Sequence, residues 1–138
     1  MFDRQERQPQ MRVGLISVFV DDQDEAQRFY TAVLGLRVKD NAAYTDTERW
    51  LTVVSPEEPD GVELALQLAD EPARAFRQAN HDIGRPALSL RTQDCRRDAE
   101  RLKTLGVVFV KEPTRMDYGG IDAVLADSFG NLINLHQE

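Results

Sequence analysis

The sequence predicts an α+β fold in which two tandem βαβββ modules form a curled eight-stranded mixed sheet around a cleft. The main observation is an internal repeat, because the strand–helix–glycine stretch from Leu15 to Leu36 is followed by a similar stretch from Ala87 to Val107. The glycines that end the two helices, Gly35 and Gly106, lie 71 positions apart. A supersecondary unit that occurs twice in one chain usually builds two modules that share a core.

The first module begins with a strand predicted over 12–20, where apolar and β-branched residues fit a strand buried on both faces. Asp22 caps the following helix, with Glu25 at capping-box spacing. Gly35 supplies the left-handed residue that ends this helix. Three more strands are predicted, with a hairpin connection before the last of them, over 36–44, 49–55 and 62–68.

A short helix over 71–81, with Pro72 in its first turn, links the modules. The second module repeats the order, with a helix that is capped by Asp94 and stopped by Gly106. The buried stripe of this helix is predicted to be Ala99, Leu102 and Leu105. The predicted strands are 87–92, 107–111, 121–126 and 132–136, and a loop with two glycines is predicted over 113–120.

The domain organisation follows from length and polarity. Residues 1–10 are polar and are predicted to form a flexible N-terminal arm. A further 128 residues suit a single domain, 11–138, with module 1 over about 11–70, the linker helix over about 71–84 and module 2 over about 85–138.

Composition excludes several classes of function. The chain has 17 Lys and Arg against 24 Asp and Glu, a net charge of −7, whereas nucleic-acid binding needs clustered cations. No apolar run reaches the ~20 residues of a membrane helix, and the N-terminus has no secretory pattern. The single cysteine, Cys95, allows no internal disulfide and suits the cytoplasm. We therefore expect a cytoplasmic protein that binds neither nucleic acid nor membrane.

Four segments carry a resemblance to a known family: Val18–Leu36, Arg49–Pro56, Arg101–Pro113 and Ala126–Ile133. Together with the repeat, they resemble the vicinal oxygen chelate superfamily, which holds glyoxalases, bleomycin-resistance proteins and extradiol dioxygenases. The first segment reads V-F-V-D-D-Q-D-E-A-Q-R-F-Y-T-A-V-L-G-L. The resemblance implies a glyoxalase-like domain of paired βαβββ modules, a cavity inside the curled sheet and a homodimer.

The enzymes of this superfamily hold a divalent metal with four inward side chains, usually His, Glu or Gln, one from each of four strands. The resemblance places these positions in this chain at Leu15, Gln67, Ala87 and Asn134. Leucine and alanine have no donor atom, and the two amides are neutral and weak ligands. We therefore expect neither a metal site nor a cofactor.

Side chains at every second position of a strand share a face, so other polar and aromatic residues should also line the cavity. The predicted ligand-binding residues are Ser17, Phe19, Trp50, Gln67, Ser89, Arg91, Tyr118 and Asn134. Aromatic walls with a few polar groups are typical of small-molecule pockets. Alternatives stay open for three of them: core packing for Trp50, a rim salt bridge for Arg91 and an idle surface position for Tyr118.

The resulting hypothesis is a binding protein that takes a small, partly aromatic molecule and sequesters it. The alternative is a metal-dependent lyase, isomerase or dioxygenase of the glyoxalase type, which would need ligands such as Glu63, Gln67 and His136. A third hypothesis is a metal-free enzyme with Glu63 as general base. Glu63 and His136 are the two catalytic candidates.

Overall fold

The computed structural model describes residues 10–138, so the predicted N-terminal arm lies outside the described residues except for Gln10. The first module comprises β1 (Leu15–Val20), α1 (Gln23–Arg28) continued by a π-helical turn (Phe29–Val33), β2 (Arg37–Ala43), β3 (Arg49–Val54) and β4 (Glu63–Leu68). The linker helix is α2 (Glu71–Asp82). The second module comprises β5 (Leu88–Arg91), α3 (Cys95–Thr104), β6 (Val108–Arg115), β7 (Ile121–Ala126) and β8 (Leu132–Gln137).

The eight strands form two four-stranded mixed sheets with the same topology, β1-β4-β3-β2 and β5-β8-β7-β6. In each sheet the first strand pairs in parallel with the last, and the other pairs are antiparallel. Each sheet is curled and open. The predicted fold class of two βαβββ modules is therefore confirmed, with the strands divided equally between two sheets.

The first helix begins and ends as its sequence predicts. Asp22 accepts a hydrogen bond from the backbone N of Glu25 at 3.0 Å, and Gly35 ends the helix with φ +83°. Its second half is a π-helical turn, in which the N–H of Leu34 donates to the carbonyl of Phe29. None of the helices within residues 10–138 is long and apolar enough to cross a membrane.

Gln23 fixes the start of this helix to the sheet. Its side chain is buried, and Nε2 donates to the carbonyl oxygens of Arg49 and Leu66, both at 2.8 Å. The Oε1 atom accepts from the backbone N of Arg49 at 2.9 Å. One amide thus satisfies three backbone groups, which orients α1 on β3 and β4.

Two predictions about the second module were wrong. The loop predicted over 113–120 begins too early, because β6 continues through Pro113 to Arg115. The ladder shifts register between Lys111 and Thr114, so proline falls where no ladder N–H is needed. The buried stripe of α3 is Cys95, Ala99 and Leu102, whereas Leu105 follows the helix and is 51% exposed.

One core joins the two modules. Its larger part packs Val18, Val20 and the aromatic residues of the first helix against Leu125 and Ile133 of the second module. At its edge, the buried Tyr30 hydroxyl donates to Oδ2 of Asp127 at 2.7 Å, across 97 positions of sequence. The turn between β7 and β8 is therefore part of the module interface.

Replacing Tyr30 by phenylalanine removes this donor and keeps the ring in the core. We expect the free energy of unfolding to fall by about 1–3 kcal/mol, because Asp127 loses one buried partner. Burial, then the charge of Asp127 and the hydrogen bond to it, raise the pKa of Tyr30 well above its usual range. The difference in free energy of unfolding between wild type and Tyr30→Phe should be fully present below the unfolded-state pKa of about 10. It should shrink at higher pH.

Urea unfolding near neutral pH and above about pH 10 measures both effects. The matched control is Tyr44→Phe, because Tyr44 is 58% exposed and hydrogen-bonds Glu48 at the surface. This control should change the free energy of unfolding by no more than about 0.5 kcal/mol. A Tyr30→Phe protein as stable as the control would contradict the role given to the Tyr30–Asp127 bond.

Candidate functional site

Each sheet turns one face to the shared core and leaves the other face uncovered. We call the uncovered face of the first sheet the N-face. Register places on it the odd-numbered residues of β1 and β4 and the even-numbered residues of β3, because paired residues point to the same side. Its side chains are Leu15, Ser17, Phe19, Trp50, Thr52, Glu63, Ala65 and Gln67.

The corresponding uncovered face of the second sheet is the C-face. Its side chains come from β5, β7 and β8, in register across the three strands. They are Ala87, Ser89, Arg91, Asp122, Val124, Ala126, Leu132, Asn134 and His136. Tyr118 joins this face from the loop before β7, where its ring centroid lies 6.4 Å from that of His136.

The predicted ligand-binding residues are thus divided between two faces. Four lie on the N-face and four on the C-face. Within residues 10–138, no side-chain hydrogen bond or salt bridge joins one face to the other. A cavity of about 160 Å³ beside α2 is lined by residues of both faces, Ser17 and Phe19 from the N-face and Ala87 and Leu132 from the C-face.

A larger groove of about 930 Å³ lies on the other side of the sheets, between the end of the first helix and α3. Its charges have both signs, with Arg97 and Arg101 beside Glu57 and Glu58. Of the predicted site residues, only Arg91 borders this groove. Because it opens onto the core side, this groove is separate from the faces that carry the predicted residues.

The N-face has one connected polar group around Glu63. The carboxylate Oε1 accepts from the hydroxyl of Thr52 at 2.9 Å, and Oε2 lies 3.9 Å from Nζ of Lys39. In contrast, no protein group within residues 10–138 hydrogen-bonds to the side chains of Ser17 or Gln67. Glu63 is therefore engaged by neighbours, while the hydroxyl and the amide stay available to a ligand. A catalytic role for Glu63 stays a prediction.

The C-face holds a hydrogen-bonded cluster of Tyr118, Asp122 and His136, which we call the His136 cluster. Oδ1 of Asp122 lies 2.5 Å from Nδ1 of His136, and Oδ2 accepts from the hydroxyl of Tyr118. Asp122 is buried, whereas the side chain of His136 is 25% exposed. A buried carboxylate thus holds an imidazole whose other edge faces outward.

The ionisation of Asp122 follows from these contacts. Burial raises its pKa, but hydrogen bonds from Tyr118 and His136, together with the charge of Lys111, outweigh burial and lower the pKa below its usual range. The hydrogen bond to Asp122 is also the chief reason that the pKa of Tyr118 is raised. Asp122 is therefore an anion at neutral pH, and Tyr118 is a neutral donor.

The other polar residues of the C-face are paired with one another. Nδ2 of Asn134 donates to Oγ of Ser89 at 3.0 Å, and the Arg91 guanidinium lies 3.1 Å from Oε1 of Glu138. The alternative for Arg91 was a rim salt bridge with Glu63 or an aspartate, whereas its partner in the structure is Glu138. Both members of this salt bridge are well exposed, so it contributes little stability.

A sequence profile of the Glyoxalase/Bleomycin resistance protein/Dioxygenase superfamily matches residues 12–135. The chain belongs to this superfamily. The uncharacterized protein YurT of Bacillus subtilis (strain 168) is 39% identical over 129 residues, which cover 93% of this chain and 100% of YurT.

Solved structures share the fold. UcmS2 is 32% identical with a TM-score of 0.79, and the match covers 94% of this chain and 100% of UcmS2. TnmS3, an antibiotic binding protein from Streptomyces sp. CB03234, is 27% identical with a TM-score of 0.73, over 94% of this chain and 98% of TnmS3.

The positions that the resemblance assigns to metal ligands hold no strong donor in this chain. Strand register shows which residue of the first module is equivalent to Asn134. Asn134 pairs with Ser89, and the equivalent pair in the first module is Ala65 with Ser17. Gln67 pairs instead with Phe19. Whether Ala65 or Gln67 fills the position, no carboxylate or imidazole is supplied by it or by Leu15, Ala87 and Asn134. Residues 10–138 contain no cluster of three or more His, Cys, Asp or Glu arranged to hold a metal.

The sequence analysis missed Asp122, which holds His136 in place. A signal for it exists, because an aspartate is unusual among the apolar residues of I-D-A-V-L-A. The pairing of Asp122 with His136 across β7 and β8 requires the hairpin register, which the turn at 127–131 fixes. Alternation alone therefore finds the residue but not its partner.

Gly120 allows the loop to approach this cluster. It has φ +82°, and a Cβ atom there would clash with the carbonyl oxygen of Gln137 and lie 3.2 Å from Cε1 of His136. Gly119 has φ +91° but nothing within 4 Å of such an atom. A side chain at either position would therefore meet similar backbone strain, but in different surroundings.

We expect Gly120→Ala to lower the free energy of unfolding by about 1–3 kcal/mol more than Gly119→Ala, because only the first adds overpacking to strain. Urea unfolding measures the difference. The imidazole NMR signals of His136 should shift in Gly120→Ala and stay in place in Gly119→Ala. Equal losses in the two proteins would show that the loop does not press on β8.

Proposed function

We propose that this protein binds a small, flat, partly aromatic molecule and holds it without converting it, as a sequestering or resistance-type protein does. The observation that supports this most is the chemistry of the two uncovered faces. They offer aromatic surface and neutral polar groups, while the positions that the resemblance assigns to metal ligands hold no carboxylate or imidazole. This combination suits an organic guest better than an ion.

The aromatic residues give the proposed guest its shape. Phe19 and Trp50 lie on the N-face, and Tyr118, a residue that is 65% exposed, flanks the C-face. Flat rings gain from offset stacking on such side chains. Ser17 and Gln67 add hydrogen-bonding groups that no described protein atom occupies. The guest that fits is therefore flat and carries a few polar atoms.

The superfamily supports the same function. The similar protein TnmS3 is described as an antibiotic binding protein, and it matches nearly the whole chain. TnmS3 and this chain have the same fold over both modules. We propose that they also share the role of binding a small molecule. The ligand here need not be the same compound.

The proposal includes a homodimer. Apolar side chains remain uncovered on both sheets, with Leu15 42% exposed in β1 and Val108 64% exposed in β6. A second copy that covers these faces would bury them and enclose the ligand, and isologous dimers are the commonest assembly. We also propose that the protein acts in the cytoplasm, where Cys95, a buried free thiol, stays reduced.

The alternative of a metal-dependent lyase, isomerase or dioxygenase is less well supported. Such chemistry needs a metal that is held by several strong donor side chains, which in this superfamily come from four different strands. Of the three ligands that this alternative requires, the Glu63 carboxylate already contacts Thr52 and Lys39, and Nδ1 of His136 already contacts Asp122. A metal-free enzyme based on Glu63 would first have to release its carboxylate from Lys39 and Thr52.

The binding proposal predicts an aromatic contribution from Phe19. We expect 2-methoxynaphthalene to quench the fluorescence of Trp50, the single tryptophan, at one ligand per chain. Phe19→Ala should raise the Kd about three- to tenfold, because a stacking partner is lost. The control is Leu105→Ala, which removes an exposed apolar side chain outside both faces. Equal effects of the two changes, or retention of a stoichiometric divalent metal after dialysis, would contradict the proposal.

The dimer is tested separately by sedimentation equilibrium. We expect the wild-type chain to form a dimer and Leu15→Lys to weaken it at least about tenfold, because the change buries an unpaired charge in the interface. Leu105→Lys adds the same charge away from both faces and should leave the dimer intact. A wild-type monomer at micromolar concentration would refute this part of the proposal.

A further inference from the structure

Neither the packing of the fold nor the stacking of a flat ligand requires the His136 cluster. We infer that Asp122 holds His136 so that Nε2 accepts a hydrogen bond from a hydroxyl of the ligand, which makes the C-face selective for flat phenols and enols over their ethers. This inference rests on the proposed function and names the class of ligand that the site takes.

The first step is the tautomer of the imidazole. Asp122 is ionised, so both of its oxygens can only accept hydrogen bonds. Nδ1 of His136, 2.5 Å from Oδ1, must therefore carry a hydrogen. In the neutral ring the lone pair is then on Nε2, which is an acceptor. The carboxylate thus decides which nitrogen is offered to a ligand.

The second step is the rigidity of this arrangement. Asp122 and His136 are directly paired residues of β7 and β8, so the sheet fixes their separation. The Tyr118 hydroxyl holds the second carboxylate oxygen, and the backbone at Gly120 packs against the imidazole. A ring that is bonded at Nδ1 and packed against the Gly120 backbone keeps Nε2 in one direction, and such preorganisation favours binding.

The third step is that Nε2 is free. Within residues 10–138 no protein atom hydrogen-bonds to it, and the side chain is 25% exposed on the C-face. The nearby cations have other contacts: Arg91 lies against Glu138, and Nζ of Lys111 lies 3.2 Å from Sδ of Met116. Nε2 therefore has no protein partner among the described residues, on a side chain that is partly exposed.

The fourth step is the class of ligand. A neutral acceptor needs a donor, and the anionic Asp122 behind it repels a carboxylate while it tolerates a neutral O–H group. The Tyr118 ring beside the imidazole, with an interplanar angle of 33°, offers a surface for an adjoining aromatic ring. A hydroxyl on a flat ring or on a conjugated enol satisfies both requirements.

Three naphthalene probes of the same ring size test the inference: 2-naphthol, 2-methoxynaphthalene and 2-naphthoate. Isothermal titration calorimetry of the full-length protein gives their Kd values. We expect 2-naphthol to bind about tenfold more tightly than the ether, the effect of one well-placed hydrogen bond. The naphthoate should bind more weakly than the naphthol, because its charge faces Asp122.

The variants separate the hydrogen bond from the shape of the site. His136→Phe keeps a ring and Asp122→Ala removes the carboxylate, and in both proteins the naphthol-to-ether ratio should fall to about one. His81→Gln alters the other histidine, which lies on α2 and contacts the carbonyl of Gly130, and should keep the wild-type ratio. The wild-type ratio is itself a test that needs no variant to fold.

The tautomer gives a readout that a purely structural role would not produce. With only two histidines in the chain, 15N NMR of wild type and His81→Gln assigns the imidazole signals of His136. We expect hydrogen on Nδ1 in the free protein and a shift of Nε2 on addition of 2-naphthol. Hydrogen on Nε2 in the free protein would overturn the inference.

The outcomes distinguish the two proposals. Equal Kd values for the naphthol and the ether would overturn the selectivity and leave the binding function intact. Failure of all three probes to bind at millimolar concentration would overturn the binding function for flat aromatic guests and the inference with it. A preference for 2-naphthol that survives in His136→Phe would assign the selectivity to another residue and refute the role of His136.

Discussion

The hydrogen bond between Tyr30 and Asp127 lies where the two modules meet, and the rest of the structure depends on this junction. Asp127 accepts it while also accepting from the backbone N–H groups of Phe129 and Asn131 and from the Asn131 side chain. The Asn131 amide in turn donates to the carbonyl of Phe19. One buried carboxylate therefore connects a helix, a turn and a strand, and its satisfied partners make its burial tolerable.

This junction determines which sides of the sheets remain for function. The face of each sheet that packs against the helices is buried in the shared core. The opposite faces, the N-face and the C-face, therefore stay uncovered. Their residues are accordingly mixed in character, with Leu15 and Phe19 beside Ser17 on one strand. A core face would not tolerate such hydroxyl and amide groups without partners. The polar residues of the faces are thus permitted by the way the modules pack.

Local chemistry explains how much of this the sequence predicts. Caps and stops such as Asp22, Gly35 and Gly106 act within one turn of chain, so the order of elements and the repeat can be predicted from residue types alone. Pro113 misleads because a bulge accommodates it, and Leu105 misleads because helical spacing continues past the end of α3. Alternation also places Ser17, Phe19, Ser89, Arg91 and Asn134 on their strands. It does not reveal that they belong to two faces, since that depends on which side of each sheet the helices cover.

The same limit applies to pairs of residues from different strands. His136 is conspicuous in sequence as one of two histidines, yet its chemistry comes from Asp122, 14 positions earlier. Only the register of a hairpin makes the two residues neighbours, and a shift by one would turn Asp122 into the core. The turn that sets this register contains Asp127, which also bonds Tyr30. The interaction that unites the modules and the geometry that orients His136 therefore depend on one turn, and a change in that turn would disturb both.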